Sequence, residues 1–462
     1  MNIEEFRKKI DENGIKEVFN ESVKISKERQ KDVNAFVTIM DTFEKSSSLS
    51  KISNIPYALK DNFSTKGILT TASSNMLKDY IPVYDSTVYK KLKESGAILL
   101  GKTTLDELAM GGTGTTGHTG IVRNPIDTTR SISGSSSGSA AAVRMGVCPF
   151  AIGSDTGDSV RKPASYAGIV GFKPTYGRIS RFGLFAFASS LDTVGIMATS
   201  VKDVAIVTDI LKGKDENDMT SLDNDDEIYE NLIEKDVKGL KLAYIEEICD
   251  EDNNKEIFNK IITSCETLGM TVEKVNMDKK LLEAVFAAYR TISCAETTSN
   301  NANLSGILFG PRAKGSTPDE IIFNSRTEGF SELIKRRFIM GSYVLRRENQ
   351  EKLYLNACKI RRLIVDKTNE IFNKYDAIIL PTTKDIAPKL EQEKEIINDK
   401  FSVLENHLDI ANFGGYPSIT IPSFEKDGMP LGVSIMCNIK KDALTLNIAH
   451  KLFEKLRGEE NV

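Results

Sequence analysis

Ser131-Ile-Ser-Gly-Ser-Ser-Ser-Gly-Ser-Ala-Ala-Ala-Val143 is followed, six residues on, by Phe150-Ala-Ile-Gly-Ser-Asp-Thr-Gly-Asp-Ser-Val-Arg161. The first stretch reads as a small-residue loop running into a helix over Ala140–Met145. The second reads as a short buried strand, Phe150–Ile152, entering another small-residue loop at Gly153–Gly157. Loop, helix, strand and loop at this spacing form an α/β unit. Outward from it, Ile55–Leu59 reads as a strand that delivers Lys60 into a polar loop. Ser86 or Thr87 caps a helix to Glu94 that Gly96 ends, and Ala97–Leu100 is the next buried strand. Leu240–Ile245, Met270–Val275, Tyr375–Leu380, Ser418–Ile421 and Gly432–Ile435 continue the strands, with Asp427-Gly428 as a turn between the last two. An amphipathic helix over Asp442–Leu456 closes the chain. This alternation predicts an α/β/α sandwich: a large mixed, mostly parallel sheet covered by helices on both faces.

One domain spanning 1–462 is expected. Residues 1–50 read as helical and charged, with Ile3, Phe6 and Ile10 at three-to-four spacing. The core spans 51–210, an exposed acidic connector 212–236, a helical elaboration on the substrate side 280–372, and the last strands and helix 373–462. Apolar residues make up 40% and charged residues 27%, the balance of a soluble globular chain. Lys plus Arg (61) against Asp plus Glu (65) leaves a net charge of −4, which argues against tight direct binding of nucleic acid. Any RNA involved is expected to be held by another chain. The six cysteines are scattered without a C-x-x-C pair, as in a reduced, cytoplasmic protein. The start lacks a signal pattern and no apolar run approaches membrane-spanning length. His118, His407 and His450 stand at no metal-ligand spacing, so no metal site is expected.

The chemistry lies in the loops. Ser135 and Ser159 occupy separate small-residue loops, and Lys60 ends an apolar strand. Serine becomes a nucleophile only when a base takes its proton, and a lysine kept neutral by burial can be that base. The reference lysine pKa of about 10.4 must then fall by several units. The plainer reading of Lys60, a surface lysine paired with Asp61, fits its place after an apolar strand less well. Two other patterns are weaker. Gly96-Ala-Ile-Leu-Leu-Gly-Lys-Thr103 matches a phosphate-loop formula, but a helix precedes Gly96 and four apolar residues fill the supposed loop. Gly134-Ser-Ser-Ser-Gly138 matches a nucleophile elbow at Ser136, but the residues before it are turn-like, and His407 and His450 read as structural or solvated.

Lys60-Asp-Asn, the Gly/Ser loop with three alanines, Gly-Ser-Asp-Thr-Gly-x-Ser and Arg161-x-Pro163 resemble the amidase signature family. Phe172-Lys-Pro-Thr-Tyr-Gly-Arg-Ile-Ser-Arg-Phe-Gly-Leu184, Ala186–Asp192, Gly101–Thr103 with Asp106-Glu107, and Lys335–Gly341 are similar to its glutamine-hydrolysing members that serve tRNA-dependent amidotransferases. The resemblance implies Ser159 as nucleophile, Ser135 as bridging serine, usually after a cis peptide, and Lys60 as base. It further implies backbone donors of Thr156, Gly157, Asp158 and Ser159 as the oxyanion hole, with Asp155 and Arg161 holding the loop. Arg337 or Arg336 would bind the glutamine α-carboxylate, Glu405 its amino group, and Tyr289 would line the pocket. No cofactor is implied for this chain. ATP and Mg²⁺ would act in a partner, within a heterotrimer of A, B and C subunits in which a partner mainly holds the misacylated tRNA.

The sequence departs from the family pattern Asp-Thr-Gly-Gly-Ser by placing Asp158 where the second glycine stands, and Ser133 and Ser137 replace two more glycines. A carboxylate ~6 Å from the oxyanion, at an effective dielectric of ~20, would cost about 3 kcal/mol, on the order of a hundredfold in rate. The cost vanishes if Asp158 faces solvent or pairs with a cation such as Arg161. Two other readings follow: a stand-alone amidase of small carboxamides, and an impaired paralogue serving as a scaffold.

Overall fold

Pro56-Tyr-Ala-Leu-Lys60 is buried at every position, as a strand enclosed on both faces must be. This strand, β2, lies between β3 (Ile98–Thr103) and β4 (Phe150–Asp155) and runs parallel to both. The computed structural model describes residues 1–392 and 402–460. In it, β1 (Phe36–Ile39), β5 (Val170–Lys173), β6 (Thr193–Ala198), β7 (Lys241–Ile245), β8 (Thr271–Val275), β9 (Ala377–Pro381), β10 (Ser418–Lys426) and β11 (Met429–Cys437) complete the sheet. Its 11 strands stand in the order β1-β3-β2-β4-β6-β5-β10-β11-β9-β7-β8.

The sheet is mixed as expected, but its parallel pairs are confined to two flanks, β3–β2–β4 and β9–β7–β8. From β4 through β6, β5, β10 and β11 to β9 every pair is antiparallel. A short connection explains the last hairpin: Asp427 (φ 51°) and Gly428 (φ 71°) make the tight turn that folds β11 back on β10. β1 is a strand that the helical reading of residues 1–50 missed. The helices end at Val33, and Phe36–Ile39 then pairs antiparallel with β3.

Alternation along β2 sends Tyr57 and Leu59 into one core with Phe150 and Ile152, and Ala58 into a second with Ala140, Ala141, Ala142 and Ala151. The second core is built from small side chains, which lets the helix Ser137–Arg144 lie close to the sheet. At Gly138 an added Cβ would sit 2.3 Å from the Ala35 carbonyl oxygen and 2.6 Å from that of Thr104. This face positions the site, because Lys60 follows Ala58 in register.

The acidic connector is less free than its composition implies. Asp215 accepts hydrogen bonds from Thr87 and Ser180, Asp225 pairs with Lys212 (2.8 Å) and with Arg178, and Tyr229 is buried. The acids here satisfy donors on neighbouring segments and pin the connector to the surface. Among the described residues, no helix is long and apolar enough to cross a membrane.

Candidate active site

Lys60, at the end of β2, is fully buried. Its Nζ lies 2.7 Å from Ser135 Oγ, 2.9 Å from Ser154 Oγ and 3.2 Å from the Ser154 carbonyl oxygen. Lys60 Nζ is thus placed to donate to three oxygens, two hydroxyls and one carbonyl, and none of them belongs to a carboxylate. Burial lowers the Lys60 pKa to about 7, against the pull of the carboxylates of Asp106, Asp155, Asp192 and Asp158.

Ser135 is 1% exposed and its peptide bond with Gly134 is cis. Ser159 is 4% exposed, and its carbonyl oxygen accepts from the Ser136 N–H at 3.1 Å, which joins the two serine loops. Ser136 itself is committed elsewhere: its hydroxyl donates to the Ser154 carbonyl (3.1 Å) and accepts from the Ser154 N–H (3.3 Å). Neither downstream histidine is engaged with it as an elbow triad requires. His407 bonds the Leu404 carbonyl, and His450 meets Glu234. The phosphate-loop look-alike is strand β3. Its Lys102 donates to the Phe63 carbonyl (3.0 Å) and Thr70 (2.8 Å) and pairs with Asp61 at 3.3 Å.

The loop that carries Ser159 is held from one side. Arg161, fully buried, donates to both oxygens of Asp155 (3.1 and 2.9 Å), to the Leu408 carbonyl (2.9 Å) and to Asn412 Oδ1 (2.7 Å), and also reaches the Gly157 carbonyl. Burial alone would raise the Asp155 carboxyl, but Arg161, with Lys173 and the Val160 N–H, holds it below its ordinary value. Thr156 donates to Asp192 at 2.7 Å. Among the described residues, the N–H groups of Gly157, Asp158 and Ser159 have no acceptor within the protein, so they are available to a developing oxyanion.

Asp158 does not pair with Arg161, which is spent on Asp155 and its neighbours. Its carboxylate is half-buried and makes no hydrogen bond or ion pair among the described residues. Burial raises its pKa to about 6, with Lys162 opposing and Asp155 reinforcing. The charge is therefore present above that range and absent below it.

The residues expected on the substrate side separate cleanly. On the helix Glu332–Val344, Arg336 is exposed while Arg337 is 5% exposed, 5.9 Å from the Phe187 ring. Tyr289, on the helix Lys279–Asn300, closes on Gly157, where an added Cβ would meet its ring at 3.0 Å and Asp409 Oδ1 at 2.3 Å. Burial, then Asp409 and Asp158, raise the Tyr289 phenol well above its usual value, and Arg337 pulls the other way. Glu405 is placed differently from its expected role. Its carboxylate takes Lys162 at 2.8 Å, which holds its pKa below the ordinary value. Asp409, one turn further on, is the acid against the Gly157–Tyr289 wall; burial, then Asp158, raise it well above the usual range. Asp409 and Asn412 share one face of the helix Asp409–Gly414, and two polar residues at three-residue spacing among Ile410, Ala411 and Phe413 are the signal that marks them. Among the described residues, no group of three or more His, Cys, Asp and Glu side chains is placed to hold a metal ion.

The arrangement brings a buried lysine and two serine loops together, and comparison with known proteins identifies the family. The amidase family model matches residues 17–446. The A subunit of glutamyl-tRNA(Gln) amidotransferase from Halothermothrix orenii is 40% identical over 435 residues, 91% of this chain and 89% of the relative. Its counterpart from Methanosarcina mazei is 36% identical, over 98% of this chain and 96% of its own. The crystal structure of the Thermotoga maritima counterpart superposes with a TM-score of 0.83 at 36% identity, covering 98% of this chain and 94% of that one. With the lysine, the two serine loops and the sheet that carries them all in the arrangement described, the chain belongs to the amidase family.

Proposed function

We propose that the chain is the glutamine-hydrolysing subunit of a tRNA-dependent amidotransferase, supplying ammonia for the amidation of glutamate on tRNA(Gln). Its relatives of 36–41% identity over most of its length carry that subunit's name. The observation that carries the chemistry is the fully buried Lys60 amine 2.7 Å from Ser135, with Ser154 accepting its other contacts.

In this reading neutral Lys60 takes the proton of Ser135 as Ser135 takes that of Ser159. Ser159 Oγ then attacks the glutamine carboxamide carbon. The N–H groups of Gly157 to Ser159 receive the oxyanion, the relay returns its proton to the departing nitrogen, and ammonia leaves. Water, deprotonated by the same relay, attacks the acyl-enzyme, so glutamate departs and Ser159 is restored. Arg337 takes the α-carboxylate and Asp409 the α-ammonium, with Tyr289 as the wall beside Gly157. ATP and Mg²⁺ act on the partner subunit that activates the acceptor, and two partners complete a cytoplasmic heterotrimer. That partner holds the tRNA, in keeping with a net charge of −4.

The test is ammonia release from glutamine by the purified chain, alone and with candidate partner subunits, for wild type and Ser159→Ala. Glutamine hydrolysis that depends on Ser159 and rises in the complex is expected. Efficient partner-independent turnover of simple amides would indicate a stand-alone amidase. Equal activity of wild type and Ser159→Ala would leave only a scaffold.

A further inference from the structure

Asp106 takes no part in the steps above, yet it is entirely buried and its carboxylate is fully engaged. Oδ2 accepts from the N–H groups of Thr113 (3.2 Å) and Gly114 (2.9 Å). Oδ1 accepts from the N–H groups of Thr115 (3.1 Å) and Thr116 (3.1 Å) and from the Thr116 hydroxyl (2.7 Å). Four successive N–H groups converging on one carboxylate wrap the chain into a concave nest, which fixes the loop from Gly112 to Thr116.

That loop carries its order to the bridging serine. The Gly112 carbonyl accepts from the Gly134 N–H (3.1 Å) and the Ser133 hydroxyl (2.8 Å), and the Thr113 carbonyl accepts from the Ser131 hydroxyl (3.1 Å). The Asp106 N–H itself donates to the Ser135 carbonyl at 3.3 Å. Contact is close enough that a Cβ at Gly134 would lie 2.1 Å from Asp106 Oδ2, and one at Gly111 would lie 2.4 Å from Asp106 Cγ. Main chain and carboxylate of one residue thus seat the segment Ser131–Ser135 from below.

We propose that Asp106 is a positioning residue for the reaction: through its own N–H and the loop it moulds, it fixes Ser135 at hydrogen-bonding distance from Lys60. The proposal rests on the reading of Lys60, Ser135 and Ser159 as a proton relay. A second effect separates it from mere scaffolding. Burial dominates Lys60, and of the four carboxylates that favour its ammonium form, Asp106 acts most strongly, ahead of Asp155, Asp192 and Asp158. Removing that charge lets the amine fall further, which moves the acid limb of the reaction to lower pH. Loss of packing alone slows the reaction without moving the limb.

The test is the rate at which a fluorophosphonate labels Ser159 in the full chain, measured across the neutral pH range for wild type, Ser159→Ala, Asp106→Asn and Thr116→Val. If wild type is labelled no faster than Ser159→Ala, the relay reading itself fails. Given labelling, Asp106→Asn is expected to lower the alkaline plateau about tenfold or more, the scale of effect that small misplacements produce, and to shift the midpoint downward. Thr116→Val keeps the charge and removes one bond to the carboxylate, so it lowers the plateau about two- to threefold on the scale of a single hydrogen bond and leaves the midpoint in place. A wild-type plateau or a wild-type midpoint in Asp106→Asn overturns the proposal. Should Asp106→Asn fail to fold by circular dichroism and gel filtration, Thr116→Val decides: a slowed plateau supports the proposal and an unchanged one overturns it.

Discussion

Lys60 and Lys102 leave neighbouring parallel strands of one sheet, both with no exposed surface, and end in opposite company. Lys102 meets a carboxylate, Asp61, at 3.3 Å, whose other oxygen takes the N–H (2.8 Å) and hydroxyl (2.6 Å) of Thr71. Lys60 meets two hydroxyls and a carbonyl. Burial lowers both amines, but at Lys102 the adjacent Asp61 opposes it through an ion pair, whereas the carboxylates acting on Lys60 stand outside bonding distance. Burial alone therefore does not make a base. The partner within reach decides whether a buried lysine braces the sheet or stays ready to take a proton.

The contrast breaks most sharply under substitution. Lys60→Met should lower glutamine hydrolysis on the order of a thousandfold, the range expected for loss of a general base, with unfolding in denaturant little changed. Lys102→Met should do the reverse. It leaves Asp61 buried without its cation and costs about 3 kcal/mol of stability, read as a lower midpoint in the same titration. Equal losses of stability in the two variants would erase the distinction.

Next in size are the residues proposed to hold the substrate. Arg337→Ala and Asp409→Asn should each lower kcat/KM about a hundredfold, as loss of a charge-assisted contact to substrate does. Arg336→Ala, at an exposed charge, and Glu405→Gln, at a half-buried carboxylate already taken by Lys162, should each stay within about twofold. A large effect at Glu405 would reinstate it as the ammonium partner.

The pH dependence sharpens the comparison further. In the proposed relay Lys60 must be neutral, so kcat/KM should rise with pH through a midpoint of about 7. Asp158 works against this, because its raised carboxyl gains its charge above about pH 6, within the range where Lys60 becomes competent. Asp158→Gly should therefore increase the rate by about tenfold to a hundredfold on the alkaline side. The gain should shrink on the acid side, where the carboxyl is protonated. A gain of equal size on both sides would point to backbone geometry at position 158 rather than charge.

The centre of the fold was legible in the sequence because it is built from unambiguous materials. An apolar run ending in Lys60, a glycine- and serine-rich loop opening a helix of alanines, and a second small-residue loop behind Phe150–Ile152 leave few alternatives. The periphery was harder. Phe36-Val-Thr-Ile39 follows two charged helices and is short, so only its pairing with β3 reveals a strand. The acids of the connector look solvated in sequence because their donors, on Thr87, Arg178 and Ser180, lie far along the chain. Glu405 and Asp409 stand four residues apart across a break between two short helices, Val403–Asn406 and Asp409–Gly414. Which of them lies against Gly157 depends on how that break turns, and spacing alone does not fix it. Asn412, which donates to the carbonyl and carboxylate of Asp155 (both 3.1 Å), escaped for the same reason.

The bonds that Arg161 makes to Leu408 and Asn412 join positions some 250 residues apart in the chain. Contacts of such long sequence separation form slowly, because a large loop must close before any of them is rewarded. On refolding from denaturant, secondary structure should thus return ahead of nucleophile reactivity. During synthesis the loop of Ser159 lacks its Leu408 and Asn412 supports until those residues have been made, so its full reactivity is expected only late.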